Sequence, residues 1–435
     1  MNPQVRRIFV ATVLAAAGWM AWAGALAGPA AGVAEAAPVT LRFWTTSAPG
    51  GSMDGWVKEF ERLNPDIRVE AQYMGNYDEM AQKLLAAVAG RTPPHVAQLG
   101  QRHGIPQLID ADALVPVERF LSQADLADII PGLWSRYTYK NQRWVIPFQP
   151  STPGLWINRT ALRQTGLDPA AAPATWEELL RMAQRLTADT NGDGRPDRWG
   201  FGSCADVPWY VRPMVLQAGG TLFDEAGRPQ LTSEAAVKAL GFFRDVVHTY
   251  HAEPPMGHQT AERDFISGRY ALLFCSTSVR GYYEKEIGSQ FELGVAAMPK
   301  EKEQAVGLGG NALAIFRSDP EHERAAWRLV QYLTGTERMV QIATETGYVP
   351  IRRSAVQSPA VQQLLRQNER ARIIYDQLPL VKDHPIHPAD ALIWRGLLRA
   401  VEQVQTSAAV EPRAALERLQ SDVEVFMEGY RSAHP

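Results

Sequence analysis

From residue 39 onward, the spacing of hydrophobic and polar positions switches between two periods, which predicts strands alternating with helices. Val39–Thr46 ("VTLRFWTT") alternates apolar with polar residues and is rich in β-branched and aromatic types, as strands are. "GWVKEFERLNP" then places apolar residues on one helical face and ends at Asn64-Pro65. A second strand ("IRVEAQYM"), a second helix ("YDEMAQKLLAAVAG", ending at Gly90) and a third strand ("HVAQLG") follow. The pattern predicts a βαβαβ unit, and hence an α/β fold.

Later segments carry further helix and strand signals. Thr175 and Glu178 in "TWEE" form the pattern of a capping box, which predicts a helix start. Pro320 after Asp319 opens another predicted helix, and Gly335 closes it. "RYALLFCST" and "AVGLGGNALAIF" are predicted to be buried strands, and the last 80 or so residues to be mostly helical.

The N-terminus carries a targeting signal, which we assign to residues 1–37. Arg6 and Arg7 precede an uncharged run from Ile8 to Ala34, and Ala34-Glu35-Ala36 is a candidate cleavage site. "RRIFV" also fits the twin-arginine export pattern. The run is long enough to be an uncleaved anchor, but its Gly and Pro content favours cleavage. A secreted protein, periplasmic or extracellular, is expected, without an N-terminal lipid because no cysteine lies nearby.

Size and charge narrow the function classes. A chain of 435 residues is expected to form two lobes or more. It has 44 basic and 47 acidic residues and no dominant charge block, so nothing indicates nucleic acid or an anionic membrane surface. Twelve tryptophans and thirteen tyrosines suit a protein that stacks on flat ligand faces. The two cysteines, Cys204 and Cys275, could pair in an oxidising compartment. Two cysteines do not make a disulfide framework, however, and we expect them to be unpaired.

"DTNGDGRPDRWG" resembles a calcium-binding loop. Oxygen ligands are available from four side chains and one carbonyl, and Gly194 stands where such a loop turns; the set is Asp189, Asn191, Asp193, Arg195 (carbonyl) and Asp197. Position 12 is Gly200 and not the bidentate glutamate of a helix–loop–helix site. The sequence leaves two readings open: a structural Ca²⁺ site, or a polar turn in which Asp and Asn cap the backbone. No other cofactor is expected.

Six blocks in order resemble one family across nearly all of the exported chain. They are "FWTT…FERLNPDIRVEAQYMGNYDE", "IPFQPSTPGLWINRTALRQTGLDPAAAPATWEEL", "FISGRYALLFCSTS", "GVAAMPK", "GLGGNALAIF" and "TGYVPIRRSA". They resemble the extracellular solute-binding proteins of ABC importers, in the branch that binds sugars or glycerol-3-phosphate. The resemblance implies a bilobed α/β fold, type II among periplasmic binding proteins, in which crossover strands form a hinge. It also implies a monomer that delivers its solute to a membrane permease.

On that pattern the N-terminal lobe comprises residues 38–148 with 299–350, and the C-terminal lobe 149–298 with 351–435. A polyhydroxylated solute needs aromatic faces and hydroxyl, amide and backbone donors. The resemblance and these needs together select candidates on strand ends and turns, with Tyr77 predicted to lie in a turn. The predicted ligand-binding residues are Trp44, Thr45, Tyr77, Gln101, Ser151, Thr152, Trp209, Ser276, Ser278, Gly309, Gly310, Asn311, Tyr348 and His387.

Two departures from the glycerol-3-phosphate binders bear on the solute. Gln101 stands where those proteins have a carboxylate, and "KDHPIHPADALIW" lacks their phosphate-gripping arginine. Lys382 or His387 replaces it only in part, because neither has arginine's planar fork. We therefore expect a sugar, an oligosaccharide or a glycerophosphodiester, with glycerol-3-phosphate as the alternative.

Two other function classes find less support in the sequence. A secreted glycoside hydrolase needs two carboxylates across a cleft, and the acidic pair Glu177-Glu178 is explained by a helix start. A metal-binding importer subunit is suggested only by the histidine pairs in "HPIH" and "HTYHAE", which are by default ordinary surface or core histidines. We therefore expect no enzymatic activity.

Overall fold

The computed structural model describes residues 37–433, apart from 101–103 and Asp206, and for Ser135 it describes the backbone only. The predicted signal segment up to residue 36 and the candidate Gln101 lie outside the described residues. Within the described part, no helix combines the length and the apolar character that crossing a membrane requires.

The first sheet is built around the predicted βαβαβ unit. Strands β1 and β2 are parallel, as are β1 and β3, because a helix connects each strand to the next. A later strand, β12, adds antiparallel to β3 and also pairs with β4 and β7. The strands are β1 Val39–Thr45, β2 Ile67–Tyr73, β3 Val96–Gly100, β4 Leu114–Val115, β7 Val145–Pro147 and β12 Asn311–Phe316, and a separate hairpin is formed by β5 Thr138–Tyr139 and β6 Gln142–Arg143.

The second sheet has four strands in the order β11-β8-β10-β9. The central strand β8 is antiparallel to both β10 and β11, and β9 runs parallel to β10. All six residues of β8 are buried, as expected of a strand covered on both faces. The strands are β8 Pro153–Asn158, β9 Trp199–Ser203, β10 Tyr270–Ser276 and β11 Leu293–Ala296.

Helices cover both sheets and make up most of the described chain after β12. They are α1 Ser52–Leu63, α2 Tyr77–Ala89, α3 Ile105–Asp110, α4 Gln123–Asp128, α5 Arg159–Gln164, α6 Trp176–Leu186, α7 Val207–Gln217, α8 Glu234–His248, α9 Ala261–Ile266, α10 Arg280–Ile287, α11 Pro320–Leu333, α12 Thr336–Glu345, α13 Arg353–Val356, α14 Pro359–Gln367, α15 Glu369–Asp376, α16 Asp390–Thr406 and α17 Pro412–Ala433. Short 3-10 helices are formed by Val117–Arg119, Pro131–Arg136, Gly257–Gln259, Thr277–Val279 and Leu378–Leu380.

Each sheet has its own hydrophobic core, so the molecule is bilobed. We call the first sheet with its core the N-terminal lobe, and the second sheet with its core the C-terminal lobe. Residues from α1, α2, α11 and α12 belong to the N-terminal core. Residues from α6, α7, α8, α16 and α17 belong to the C-terminal core. The sequence-based prediction of a bilobed α/β fold is confirmed.

Three segments of chain run between the two sheets and are hydrogen-bonded to one another. Ser151 and Gly309 exchange backbone hydrogen bonds of 3.2 and 2.7 Å (N–H of Ser151 to O of Gly309, and the reverse). Val349 N–H donates to the Pro150 carbonyl at 3.0 Å, which adds the third segment. These crossing segments, residues 148–152, 306–311 and 347–351, form the junction between the lobes.

Two local predictions need correction. "AVGLGGNALAIF" becomes a strand only from Asn311, because residues 306–310 before it belong to a crossing segment. The Thr175 hydroxyl accepts from the Glu178 amide as predicted, but the Glu178 carboxylate reaches the Ala174 amide and not that of Thr175. The helix start is right, and half of the predicted capping box is not formed.

The expectation of unpaired cysteines is wrong. Cys204 and Cys275 form a disulfide, with their Cα atoms 5.2 Å apart, inside the range that a disulfide spans. Cys204 follows β9 and Cys275 lies in β10, and these two strands are parallel neighbours. Strand pairing brings the thiols together across 71 residues of sequence, which no local pattern reveals.

We predict that the disulfide stabilises the C-terminal lobe. Replacing both Cys204 and Cys275 by Ala should lower the free energy of unfolding by about 4 kcal/mol, because a loop of this length loses much entropy when it is cross-linked. Urea unfolding of the two proteins measures the difference. Adding a reductant should destabilise only the wild type, and equal sensitivity of both proteins to the reductant would contradict the assignment.

A second prediction concerns Glu253, which is buried in the C-terminal lobe. Its carboxylate accepts from the Gln405 amide at 3.2 Å, and burial raises its pKa to about 8. Between the ordinary pKa near 4.5 and this value, the unfolded carboxyl ionises while the folded one keeps its proton. The contribution of this group to stability should therefore fall by about 1.4 kcal/mol per pH unit across that window.

Glu253→Gln keeps a neutral hydrogen-bonding side chain and removes this titration. Denaturant unfolding from pH 5 to pH 8 should show the wild type losing stability relative to the variant as the pH rises. A stability difference that stays constant over this range would mean that Glu253 is already ionised in the folded protein.

Candidate functional site

The candidate site lies along the three crossing segments, where chain from both lobes comes together. Its residues fall into two groups of side chains. One group is anchored on the N-terminal sheet and the other on the end of β10 in the C-terminal sheet.

The first group is a network of buried amides. Gln98, in the buried strand β3, accepts from the Thr45 hydroxyl at 2.7 Å and donates to the Gln149 Oε1 at 3.2 Å. Asn311 Nδ2 donates to the same Gln149 oxygen at 3.0 Å and to the Tyr77 hydroxyl at 3.0 Å. We call these five residues the amide network. It links the end of β1, strand β3, two crossing segments and the start of α2.

Tyr77 stands at the first position of α2 and not in a turn as predicted. Asn76 caps this helix, since its side chain accepts from the Glu79 amide while Glu79 accepts from the Asn76 amide. The cap fixes the phenol of Tyr77 beside Asn311. Burial raises the pKa of Tyr77 well above its usual range, and the nearby Tyr348 phenol raises it further. Tyr77 is therefore a neutral hydrogen-bonding group at any physiological pH.

The second group is a cluster of three serines. Ser276, the last residue of β10, donates its hydroxyl to the Ser151 hydroxyl at 3.2 Å and lies 2.7 Å from that of Ser278. Its oxygen also accepts from the Ser278 amide, which caps the short 3-10 helix that follows. Ser151 is on a crossing segment, so this serine cluster joins that segment to the C-terminal sheet. Thr152 follows Ser151 and is buried.

Trp209 of α7 packs against the glycines of a crossing segment. A Cβ added to Gly309 would lie 2.2 Å from the indole Cζ2, and one added to Gly307 would lie 3.2 Å from its Nε1. Gly310 adopts φ +98°, and its Cβ would lie 1.9 Å from the Gln149 carbonyl oxygen. Only glycine permits these approaches of tryptophan and backbone.

Three buried side-chain atoms of the site have no hydrogen-bond partner among the described residues. They are the Oγ1 of Thr152, the Oδ1 of Asn311, an acceptor, and the Nε1 of Trp209, a donor. A buried polar group is costly unless it is paired, so each of these atoms is suited to a ligand hydroxyl.

The structure thus brings together most of the predicted site residues. Those that belong to the amide network, the serine cluster or the crossing segments are Thr45, Tyr77, Ser151, Thr152, Ser276, Ser278, Gly309, Gly310, Asn311 and Tyr348, and Trp209 packs on them. Trp44 packs at the edge of the N-terminal core, on the strand face opposite to Thr45. His387 stacks on Phe223 with ring centroids 3.8 Å apart and lies 3.2 Å from the Gly227 carbonyl oxygen, so its described contacts tie it to the C-terminal lobe.

Gln98 and Gln149 are central to the amide network, and the sequence reading missed both. The available signal was a glutamine inside the otherwise apolar strand "HVAQLG", and another directly before "PSTP". A glutamine in a buried strand requires a hydrogen-bond partner, which makes it a candidate member of a polar network.

The Asp189–Asp197 loop is held by its own backbone amides. Asp189 accepts from the amides of Gly192, Asp193 and Gly194, and Asp197 accepts from Thr190. In the described part of the chain, no three His, Cys, Asp or Glu side chains are grouped so that they would hold a metal ion. The loop has the geometry of a self-capped polar turn, and the Ca²⁺ site stays a prediction.

Comparison with known proteins places the chain among transport proteins. The sequence profile of the bacterial extracellular solute-binding proteins matches residues 55–366. The sn-glycerol-3-phosphate-binding periplasmic protein UgpB of Yersinia pestis bv. Antiqua is 25% identical over 371 residues, which cover 79% of this chain and 82% of that protein. UgpB of Escherichia coli O1:K1 is 24% identical over 367 residues, with 79% and 81% covered.

Solved structures share the fold over almost the whole described chain. UgpB of Mycobacterium tuberculosis in complex with glycerophosphocholine superposes with a TM-score of 0.79 at 24% identity, covering 90% of this chain and 99% of that one. The maltose/maltodextrin-binding domain MalE of Bdellovibrio bacteriovorus, bound to maltotriose, superposes with a TM-score of 0.78 at 21% identity, covering 90% and 100%.

We predict that Gly309→Ala disturbs the site, because the new methyl group must displace the Trp209 indole. Overpacking of this kind should lower the free energy of unfolding by about 1–3 kcal/mol and shift the tryptophan emission. Gly241→Ala is the matched control, since Gly241 lies in α8 and no atom is within 4 Å of an added Cβ. The Gly241→Ala variant should keep the tryptophan emission of the wild type and should not lower the free energy of unfolding. Equal behaviour of the two variants would show that Trp209 does not pack on Gly309.

Proposed function

The chain belongs to the bacterial extracellular solute-binding protein family, and on that premise we propose that it captures a neutral sugar, an oligosaccharide or a glycerophosphodiester between its lobes. It serves an ABC importer as the binding subunit and catalyses no reaction. We further propose that the exported protein acts as a monomer and meets the membrane through the permease to which it delivers the solute.

The observation that carries the choice of solute is the chemistry of the site. The amide network and the serine cluster consist of amide, hydroxyl and phenol groups, and none of these described side chains is charged. Asn311 Oδ1 accepts and Trp209 Nε1 donates, so ligand hydroxyls, which can both donate and accept, can satisfy either atom. Sugars and the glycerol part of a glycerophosphodiester present such hydroxyls.

The cations near the segment that aligns with a phosphate grip are already paired. Lys382 bonds to Glu303 at 3.1 Å, and both side chains are more than half exposed. Arg136 and Arg212 lie against Asp383 and Asp390. A phosphate monoester carries more negative charge than a diester, so its binding depends more strongly on cations that are not yet paired. The charges of these three cations are already balanced, which disfavours a phosphate monoester as the solute.

The crossing segments supply the mechanism of capture. Each lobe contributes one wall of the solute site. The junction at Ser151, Gly309 and Val349 is held by backbone hydrogen bonds, and bending at this hinge need not break them. A solute that bonds to the amide network from one side and to the serine cluster from the other favours the closed arrangement, because it binds that arrangement more tightly. The closed form is the one presented to the permease.

Glycerol-3-phosphate is the second candidate, and one observation favours it. The relatives from Yersinia and Escherichia that are 24–25% identical over most of this chain are glycerol-3-phosphate-binding proteins by name. Their identity to this chain is low enough for the solute to differ.

Titration calorimetry of the purified exported chain tests the proposal with maltose, trehalose, glycerophosphocholine and glycerol-3-phosphate. We expect one of the first three to bind at least about tenfold more tightly than glycerol-3-phosphate, the difference that a lost charge-assisted contact produces. Lys382→Ala and His387→Ala serve as controls and should leave the affinities unchanged. Glycerol-3-phosphate as the tightest ligand, weakened by either substitution, would favour the second candidate. Release of reducing ends from an oligosaccharide would contradict the binding function.

A further inference from the structure

A buried group of charges lies at the lobe boundary, apart from the amide network and the serine cluster. It consists of Arg136, Arg212, Asp383, His384 and Asp390, which we call the ion cluster. The Arg136 side chain is 0% exposed, and those of Arg212, Asp383 and Asp390 are 5–6% exposed. Charges so far from water need partners, so the geometry of each contact matters.

Asp383 is held between one arginine from each lobe. Arg136 ends the 3-10 helix Pro131–Arg136, whose Leu133 and Trp134 belong to the N-terminal core. Its Nε lies 3.5 Å from Asp383 Oδ2. Arg212 is in α7 of the C-terminal lobe and donates to Asp383 Oδ1 at 2.8 Å.

Asp390 and His384 complete the cluster. Arg136 donates to the His384 carbonyl at 2.8 Å, and its Nη2 lies 3.7 Å from Asp390 Oδ2. The His384 Nε2 lies 2.7 Å from Asp390 Oδ1, and Arg212 Nη2 lies 3.0 Å from the other ring nitrogen. Burial, together with Arg212, lowers the pKa of His384 to about 4, so the imidazole is neutral at neutral pH.

The charges balance only when both lobes contribute. Two arginines face two aspartates, which gives a neutral cluster when His384 is neutral. On the C-terminal lobe alone, Arg212 leaves one of the two aspartates uncompensated. Arg136 is the N-terminal lobe's contribution, so a movement that separated its guanidinium from Asp383 and Asp390 would leave one carboxylate uncompensated.

Other contacts seat the same segment against the N-terminal lobe. Gln107 of α3 donates to the Pro388 carbonyl at 3.0 Å, and Ile386 is part of the N-terminal core. The Asp390 side of the segment continues into α16, whose residues Ile393 and Trp394 belong to the C-terminal core. The segment from 383 to 390 is therefore a place where opening must break specific contacts.

We propose that Arg136 is an electrostatic latch that holds the two lobes together through Asp383 and Asp390, even when no solute is bound. The proposal rests on the proposed function in one respect, which is that closure of the lobes is what retains the solute. The latch gives the protein a charge-dependent closure that does not require a charged solute. Without Arg136, the closed arrangement buries an uncompensated carboxylate, which penalises closure and not folding of either lobe.

The test measures lobe separation directly, without relying on a ligand. Spin labels are attached at Leu63→Cys and Val425→Cys, which are exposed positions on α1 and α17. Pulsed electron paramagnetic resonance then measures the distance between the two labels, and hence between the lobes. In the ligand-free wild-type background we expect a populated closed distance. Arg136→Met should raise the ratio of open to closed molecules at least tenfold, and Arg136→Met with Asp383→Asn should recover part of that loss because the charge is balanced again.

Arg352→Met is the matched control. Arg352 is also buried, and it pairs with Asp125 at 2.9 Å and Asp128 at 3.3 Å. Its neighbours Ile351 and Ala355 belong to the N-terminal core, so this cluster does not join the lobes. The control should lose thermal stability, because it breaks a buried ion pair within one lobe, but keep the wild-type distance distribution. Circular dichroism confirms that each variant is folded.

The outcomes separate the two proposals. A wild type that is fully open without solute, or an Arg136→Met variant whose distances match the wild type, would overturn the latch. Equal opening in the Arg352 control would also overturn it, because general destabilisation would then explain the effect. If the latch variant opens as expected but no sugar or glycerophosphodiester binds to the wild type, the proposed function fails and the latch stands.

Discussion

The backbone pairing between Ser151 and Gly309 is the constraint on which the site depends. It fixes two crossing segments side by side, and the neighbouring Gly310 with φ +98° turns the chain into β12. The turn places Asn311 at the start of that strand, within reach of Gln149 and Tyr77. Without this pairing, side chains that are far apart in the sequence would have no common surface.

Burial then decides what the site can be made of. Gln98, Gln149 and Asn311 are almost completely enclosed, and buried amides are tolerated only when most of their hydrogen bonds are made. They satisfy one another in a chain, which holds each of them in one orientation. A site preorganised in this way favours a ligand that offers hydroxyl groups, because a strongly charged ligand would bring its own desolvation cost into a neutral surface.

One set of buried charges pairs within itself and not with the amide network or the serine cluster. Arg136, Arg212, Asp383 and Asp390 neutralise one another at the lobe boundary. One surface can therefore select the solute while a separate set of contacts governs the relative position of the lobes. The two sets share no residue, so each can be substituted separately.

The sequence by itself determined the elements and the fold class, because the period of apolar positions, the cap at Thr175 and the Asp319-Pro320 helix start are local properties. It also pointed to Tyr77, Ser151 and Asn311, through family-like motifs. Tertiary structure alone decided that Cys204 meets Cys275, that Trp44 belongs to the core edge, and that Gln98, Gln149 and Arg136 occupy key positions. Each of these depends on which strands and segments become neighbours in space, and partners separated by tens to hundreds of residues leave no mark on the local pattern of either one.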